Sequence, residues 1–123
     1  AYNANADSML AALQTLHDYP CAGRRVAVLG DMAELGVQTA DAHEEIGRRC
    51  AELGVDFLVA VGRLAGVTAN AARAAGLKEV TEFADVPSVV ANVKSLVQRG
   101  DVVLLKASRS TGLEAVGVAL RAV

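Results

Sequence analysis

A chain of 123 residues, 53% of them hydrophobic and 21% charged, has the size of one domain with one core and is too apolar for a disordered tail. Its formal net charge is −2, its Lys and Arg are scattered, and its aromatic content is 3% with no Trp. That excludes both an electrostatic track for nucleic acid and the stacking platforms of single-strand binders.

Met9, Leu10, Leu13 and Leu16 recur at helical spacing and predict a first helix over residues 5–19, with Asn5 at its N-cap, Asp7 in its first turn and Pro20 as its stop. Arg25-Val26-Ala27-Val28-Leu29 follows as a short apolar run stopped by Gly30-Asp31, the mark of a buried parallel strand. A second helix starts near Thr39. Asp41, Glu44 and Glu45 in its early turns and Arg48 and Arg49 in its later part suit the helix dipole at both ends, and Gly54 stops it. Phe57-Leu58-Val59-Ala60-Val61 reads as a second strand closed by Gly62, followed by an alanine-rich helix to Ala75, Gly76 as its stop, and a weaker strand over residues 79–83. Asp85 caps a fourth helix whose apolar face is Val89, Val90, Val93, Leu96 and Val97, and Gly100 separates it from the strand Val102-Val103-Leu104-Leu105. A last helix is predicted over residues 113–120. Cys21 and Cys50 are isolated, with no Cys-x-x-Cys and no histidine at ligand spacing, and read as ordinary thiols rather than metal or redox groups.

Fully apolar strands alternating with helices call for an α/β domain: three layers, Rossmann-like, with a mainly parallel sheet and helices on both faces. The predicted strand order is 3-2-1-4, which places a switch point between the first and fourth strands, and ligands in open α/β sheets bind beyond the carboxyl ends of strands at such points. The segments flanking that crevice are Gly30-Asp31-Met32 and Lys106-Ala107-Ser108-Arg109, the most polar strand exits in the chain. No apolar run approaches the ~20 residues of a membrane span, and Ala1-Tyr2-Asn3-Ala4-Asn5 lacks the basic and apolar stretches of a secretory signal, so a cytoplasmic location without membrane insertion is expected.

Lys106-Ala107-Ser108-Arg109-Ser110-Thr111 offers cations, hydroxyls and backbone N–H groups to a carboxylate or phosphate, although a helix cap at Ser110 or Thr111 with Lys106 and Arg109 solvated accounts for the same residues. Asp31 has two readings as well, a site group that holds a metal, binds a ribose or orients a cation such as Lys106 across the crevice, or turn chemistry after a glycine. Gly36 is expected to supply a positive φ. His43 shares a helical stripe with Ile46, Cys50 and Leu53 and reads as a neutral, hydrogen-bonded histidine at the edge of the core, whereas His17 reads as a surface residue. There is no Gly-x-x-x-x-Gly-Lys-Ser/Thr phosphate loop and no Gly-x-Gly-x-x-Gly fingerprint, so the usual route to cradling a triphosphate is missing.

Three segments in this order, Tyr2-Asn3-Ala4-Asn5-Ala6-Asp7-Ser8-Met9, Val28-Leu29-Gly30-Asp31-Met32-Ala33-Glu34-Leu35-Gly36 with His43 downstream, and Leu105-Lys106-Ala107-Ser108-Arg109 with Leu113-Glu114, resemble the C-terminal domain of the Mur ligases. Within that family the pattern is most similar to the members that join D-alanyl-D-alanine to a UDP-N-acetylmuramoyl tripeptide. The resemblance implies a cytoplasmic three-domain enzyme of peptidoglycan synthesis that uses ATP and Mg2+. An N-terminal domain would hold the UDP-sugar peptide and a central domain the ATP phosphate loop, leaving residues 1–123 as the third domain, inactive alone and with no catalytic or metal-binding residue of its own. Position by position it implies that Tyr2, Asn3 and Asn5 approach the nucleotide, that Lys106, Ser108 and Arg109 lie near the incoming dipeptide, and that Asp31 shapes the same pocket. Ala6 stands where many relatives have Pro, and Ala107 where the motif usually has Gly. Two alternatives remain open at this level: a freestanding α/β ligand-binding or signalling module, and a related ligase domain with a different amine substrate.

Overall fold

The computed structural model describes residues 4–32, 36–106 and 118–123. The first helix, α1 (Ala4–Asp18), buries Met9, Ala12, Leu13 and Leu16 on one stripe and stops short of Pro20. Asn5 is therefore the second residue of the helix and not the residue that caps it. The strand β1 (Arg25–Leu29) is followed by a single 3₁₀ turn (Gly36–Gln38) that leads into α2 (Thr39–Glu52). Gly36 has φ 58°, as expected of it. At the other end of α2 the Gly54 and Val55 N–H groups donate to the Ala51 and Cys50 carbonyls at 3.4 and 3.0 Å, which uses carbonyls the helix itself leaves unpaired. Then come β2 (Phe57–Val61), α3 (Ala65–Ala74), β3 (Glu79–Phe83), α4 (Val86–Leu96), β4 (Val102–Lys106) and β5 (Val118–Ala122). Asp85 caps α4 as expected, its carboxylate accepting from the Ser88 N–H at 2.9 Å and from the Ser88 hydroxyl at 2.7 Å.

One five-stranded sheet results, in the order β3-β2-β1-β4-β5. Its first four strands are parallel and in the predicted order, while β5 runs antiparallel to β4, with Val102 opposite Ala122 and Lys106 opposite Val118. The predicted last helix is thus corrected over residues 118–120, and residues 113–117 lie outside the described residues. Ala and Leu favour helix locally, but the outer edge of β4 presents a row of backbone donors and acceptors, and pairing with them outweighs that weak preference.

Side chains alternate across the sheet, so each strand feeds two layers. On one face Ala27, Leu29, Leu58, Val102 and Leu104 pack with Met9, Leu13 and Leu16 of α1 and Ile46 and Cys50 of α2, while Ala60 meets Ala65 and Ala69 of α3. On the other face Val26, Val28, Phe57, Val59 and Val61 lie under Val86, Val89 and Leu96 of α4. The expected face of α4 is only partly right: Val90 is 64% exposed and Val93 45%. One sheet surface covers a stripe about 100° wide, and Val90, one residue on from Val89, lies about 100° around the helix from it.

At the strand entrances, Arg24 grips the fully buried Asp101 with two hydrogen bonds, Nε to Oδ1 at 3.1 Å and Nη2 to Oδ2 at 2.8 Å. It also reaches Glu79 Oε2 at 3.0 Å and the Leu96 carbonyl at 3.0 Å, and its guanidinium stands 5.1 Å from the centre of the Phe57 ring. The Arg24 hydrogen bonds hold the Asp101 carboxyl below the usual carboxylate range.

Candidate functional site at the strand exits

The crevice is built where β1 and β4 leave the sheet side by side. Leu29 pairs with Lys106, and one residue further the Gly30 N–H donates to the Lys106 carbonyl at 2.9 Å. Strand order reverses here, since β2 and β3 lie on one side of β1 and β4 and β5 on the other. Lys106 is half-buried, and strand alternation puts it on the same face as Val102 and Leu104, the face that α1 covers.

The direction of α1 brings a second predicted segment to this end. The Arg25 side chain, at the entrance to β1, donates to the Leu16 carbonyl at 3.0 Å and the Tyr19 carbonyl at 2.9 Å, which fixes the end of α1 at the strand entrances. A helix of 15 residues is about 22 Å long, so its first turn, which holds Asn5, reaches the strand exits. Asn5 and Lys106 therefore share one end of the domain. Tyr2, Asn3, Ala107, Ser108 and Arg109 lie outside the described residues.

Asp31 faces β2. One carboxylate oxygen accepts from the Arg63 N–H at 2.9 Å and the other from the Leu64 N–H at 3.0 Å, just ahead of α3. Gly62 makes this possible, because it has φ 117° and a Cβ there would come within 2.6 Å of the carboxylate. These two bonds run away from Lys106, not across the crevice toward it. They tie the exit of β1 to the exit of β2 and hold the exposed Arg63 at the rim, a residue the sequence reading passed over. The signal for it was present: Gly62-Arg63 follows β2 as Gly30-Asp31 follows β1.

His43 is buried at 2% exposure and uses both ring nitrogens. Nε2 accepts from the Met32 N–H at 3.0 Å, and Nδ1 lies 2.7 Å from the Thr39 carbonyl. A backbone N–H only donates and a carbonyl only accepts, so the ring is neutral with its proton on Nδ1. That agrees with the reading of a satisfied histidine at the core edge. His17, by contrast, is half exposed and paired with Asp18. Cys21 and Cys50 are both free thiols, and burial pushes the Cys50 thiol up to about 12, which keeps it protonated. Among the described residues no three His, Cys, Asp or Glu side chains gather where they would hold a metal ion, and no helix is long and apolar enough to cross a membrane.

A family model described as "Mur ligase, glutamate ligase domain" matches residues 1–109. The chain belongs to the Mur ligase family. Among similar Mur ligases, the UDP-N-acetylmuramoyl-tripeptide–D-alanyl-D-alanine ligase of Synechocystis is 44% identical over 115 residues, covering 94% of this chain and 25% of the relative. The enzyme of the same name from Escherichia coli is 37% identical over 123 residues, covering 98% of this chain and 26% of the relative. A crystal structure of MurF from Acinetobacter baumannii superposes with a TM-score of 0.73 at 33% identity, covering 94% of this chain and 25% of that one. MurF from Thermotoga maritima, solved in complex with ADP, gives 0.66 at 30% identity with the same coverage. This Mur ligase domain thus spans about a quarter of the length of the relatives it matches. In each of these relatives the matching segment is part of a larger ligase, which favours a ligase domain over a freestanding module.

Proposed function

We propose that this chain is the C-terminal substrate- and nucleotide-contacting domain of the ligase that adds D-alanyl-D-alanine to UDP-N-acetylmuramoyl-tripeptide in peptidoglycan synthesis. The observation that carries the reading is the match to ligases of that name over 94% and 98% of the chain. The reaction runs in the cytoplasm on a three-domain enzyme: the N-terminal domain holds the UDP-sugar peptide, and the central domain holds ATP and Mg2+. The peptide carboxylate first takes the γ-phosphoryl group of ATP, giving an acyl phosphate and ADP. The neutral dipeptide amine then bonds to the acyl carbon, the C–O bond to phosphate breaks, and the amine loses a proton as the amide forms.

The contribution of this domain is to bring the amine to that carbon. Lys106, with Ser108 and Arg109 that follow it in the sequence, holds the carboxylate of the dipeptide through charge-assisted hydrogen bonds. The Gly30-Asp31-Met32 loop forms the neighbouring wall, and the segment of Tyr2, Asn3 and Asn5 approaches the nucleotide from the start of α1. Orienting the amine makes its attack effectively intramolecular, an effect that reaches about 7 kcal/mol or more where the geometry is good. No step is assigned to the metal ion in this domain.

The test is steady-state kinetics of the full-length protein that contains this chain, reading ADP release and ligated product as D-alanyl-D-alanine is titrated. Lys106→Ala and Arg109→Ala each remove a charge-assisted bond, and kcat/KM for the dipeptide falls about 10- to 100-fold. Parent-like kinetics in both variants, or a parent that ligates a different amine, overturns the assignment.

A further inference from the structure

We infer that His43 is a positioning residue for the substrate crevice: from the second turn of α2 it clamps the Met32 backbone at the exit of β1 in the position that the incoming amine substrate meets. The inference rests on the proposed function for the identity of that substrate.

The loop between β1 and α2 is held at both of its described ends by residues of α2. At the near end the Met32 N–H donates to His43 Nε2, eleven residues on in the chain, while His43 Nδ1–H is anchored on the Thr39 carbonyl. At the far end the Thr39 hydroxyl donates to the Gly36 carbonyl at 2.7 Å. The helix that carries both anchors is itself immobilised: Ile46 and Cys50 sit in the core, and Gly47 lies so close to α3 that a Cβ there would come within 2.2 Å of the Thr68 carbonyl. A ring hydrogen-bonded to two backbone groups on such a helix ties the Met32 amide to the core edge.

What the clamp sets is functional geometry. Met32 is buried with Leu29 and Ile46, and Asp31, the residue before it, projects to the Arg63 and Leu64 amides. Gly30, one residue earlier, donates to the carbonyl of Lys106. The clamp thus controls the peptide units on which Asp31 stands and the edge against which Lys106 leaves the sheet. His43 touches no substrate in this arrangement and acts through the loop.

The test uses the full-length protein and two variants, His43→Gln, which keeps an acceptor for the Met32 N–H, and His43→Leu, which keeps the bulk and loses both bonds. The expected KM for D-alanyl-D-alanine rises about threefold in the Gln variant and about tenfold or more in the Leu variant, with the KM values for ATP and the UDP-linked tripeptide unchanged. Val89→Ala, a change in α4 on the opposite face of the sheet that touches neither the loop nor α2, serves as the control and moves none of the three. Exchange of the Met32 amide with solvent accelerates in the same order, Leu ahead of Gln ahead of parent. If the Leu variant does not fold, the Gln variant decides alone, through its dipeptide KM and its Met32 exchange. An unchanged dipeptide KM in the variants, or a rise in all three KM values together, overturns the inference. A parent that fails to ligate the dipeptide refutes the proposed function instead, and Met32 exchange still decides the clamp: parent-like exchange in the variants overturns it.

Discussion

The two ends of the sheet use polar residues in opposite ways. At the strand entrances Arg24 spends its donors on Asp101, Glu79 and the Leu96 carbonyl, and its guanidinium face lies over Phe57. At the strand exits the half-buried Asp31 and the buried His43 hold backbone amides, while the side chains of Lys106 and Arg63 make no hydrogen bond or ion pair among the described residues. Both ends are rich in charge, so charge alone does not distinguish a structural corner from a binding one. The difference is whether the cations are consumed by the fold or mounted at its rim by groups that the fold consumes.

Four substitutions break or sharpen that contrast. The largest effect is expected at the entrances, where Asp101→Ala leaves Arg24 without its buried partner. Urea unfolding of the 123-residue chain should show a loss of about 3 kcal/mol, the lower end for a broken buried pair because Arg24 keeps some access to water. The same pair sets an acid limit. The Asp101 carboxyl titrates lower in the folded chain than its ordinary value of about 3.9, so its contribution is complete above that value and disappears as pH falls through the lowered one. Stability measured from pH 6 to pH 2 should fall less steeply in Asp101→Asn than in the parent, and equal slopes would remove the pair from the acid response. Asp31→Ala frees two amides at the start of α3 and should cost about 1 kcal/mol, as for a lost helix cap, together with a raised KM for the dipeptide in the full-length protein. The smallest change in stability is expected for Lys106→Ala, under about 0.5 kcal/mol, even though its effect on ligation is large. A Lys106 variant that unfolds as readily as the Asp101 one would erase the distinction between the two ends.

Much of the layout was legible because local chemistry and burial point the same way. β1 and β2 fall on the predicted residues, since a largely apolar run closed by glycine has few other uses, as does the weaker β3, and the Asp85 cap follows from side-chain chemistry that acts over three residues. The four parallel strands take the order 3-2-1-4 that was expected for the switch point it creates between β1 and β4. Three features were not legible. Residues 118–120 of β5 read as helix because edge pairing is a property of the neighbouring strand. Val90 and Val93 read as core because an apolar stripe does not disclose how much of it a partner covers. The bonds of Asp31 to the Arg63 and Leu64 amides were the third, because a turn sequence, open between a site role and turn chemistry, does not say which neighbour its carboxylate will find.

The candidate site divides along the same line. By itself the sequence determined the family, the alternating α/β frame and the choice of strand exits as the polar end, because ordered motifs and hydrophobic periodicity survive without coordinates. Tertiary structure alone decided that Gly30 and Lys106 are bonded neighbours, that α1 runs its first turn toward them, and that Asp31 and His43 work on the loop backbone. Those facts depend on groups from 9 to 76 residues apart being held within hydrogen-bond reach by a shared core. No local propensity encodes that distance, because it is set by the packing of α1, α2 and α3 on one face of the sheet.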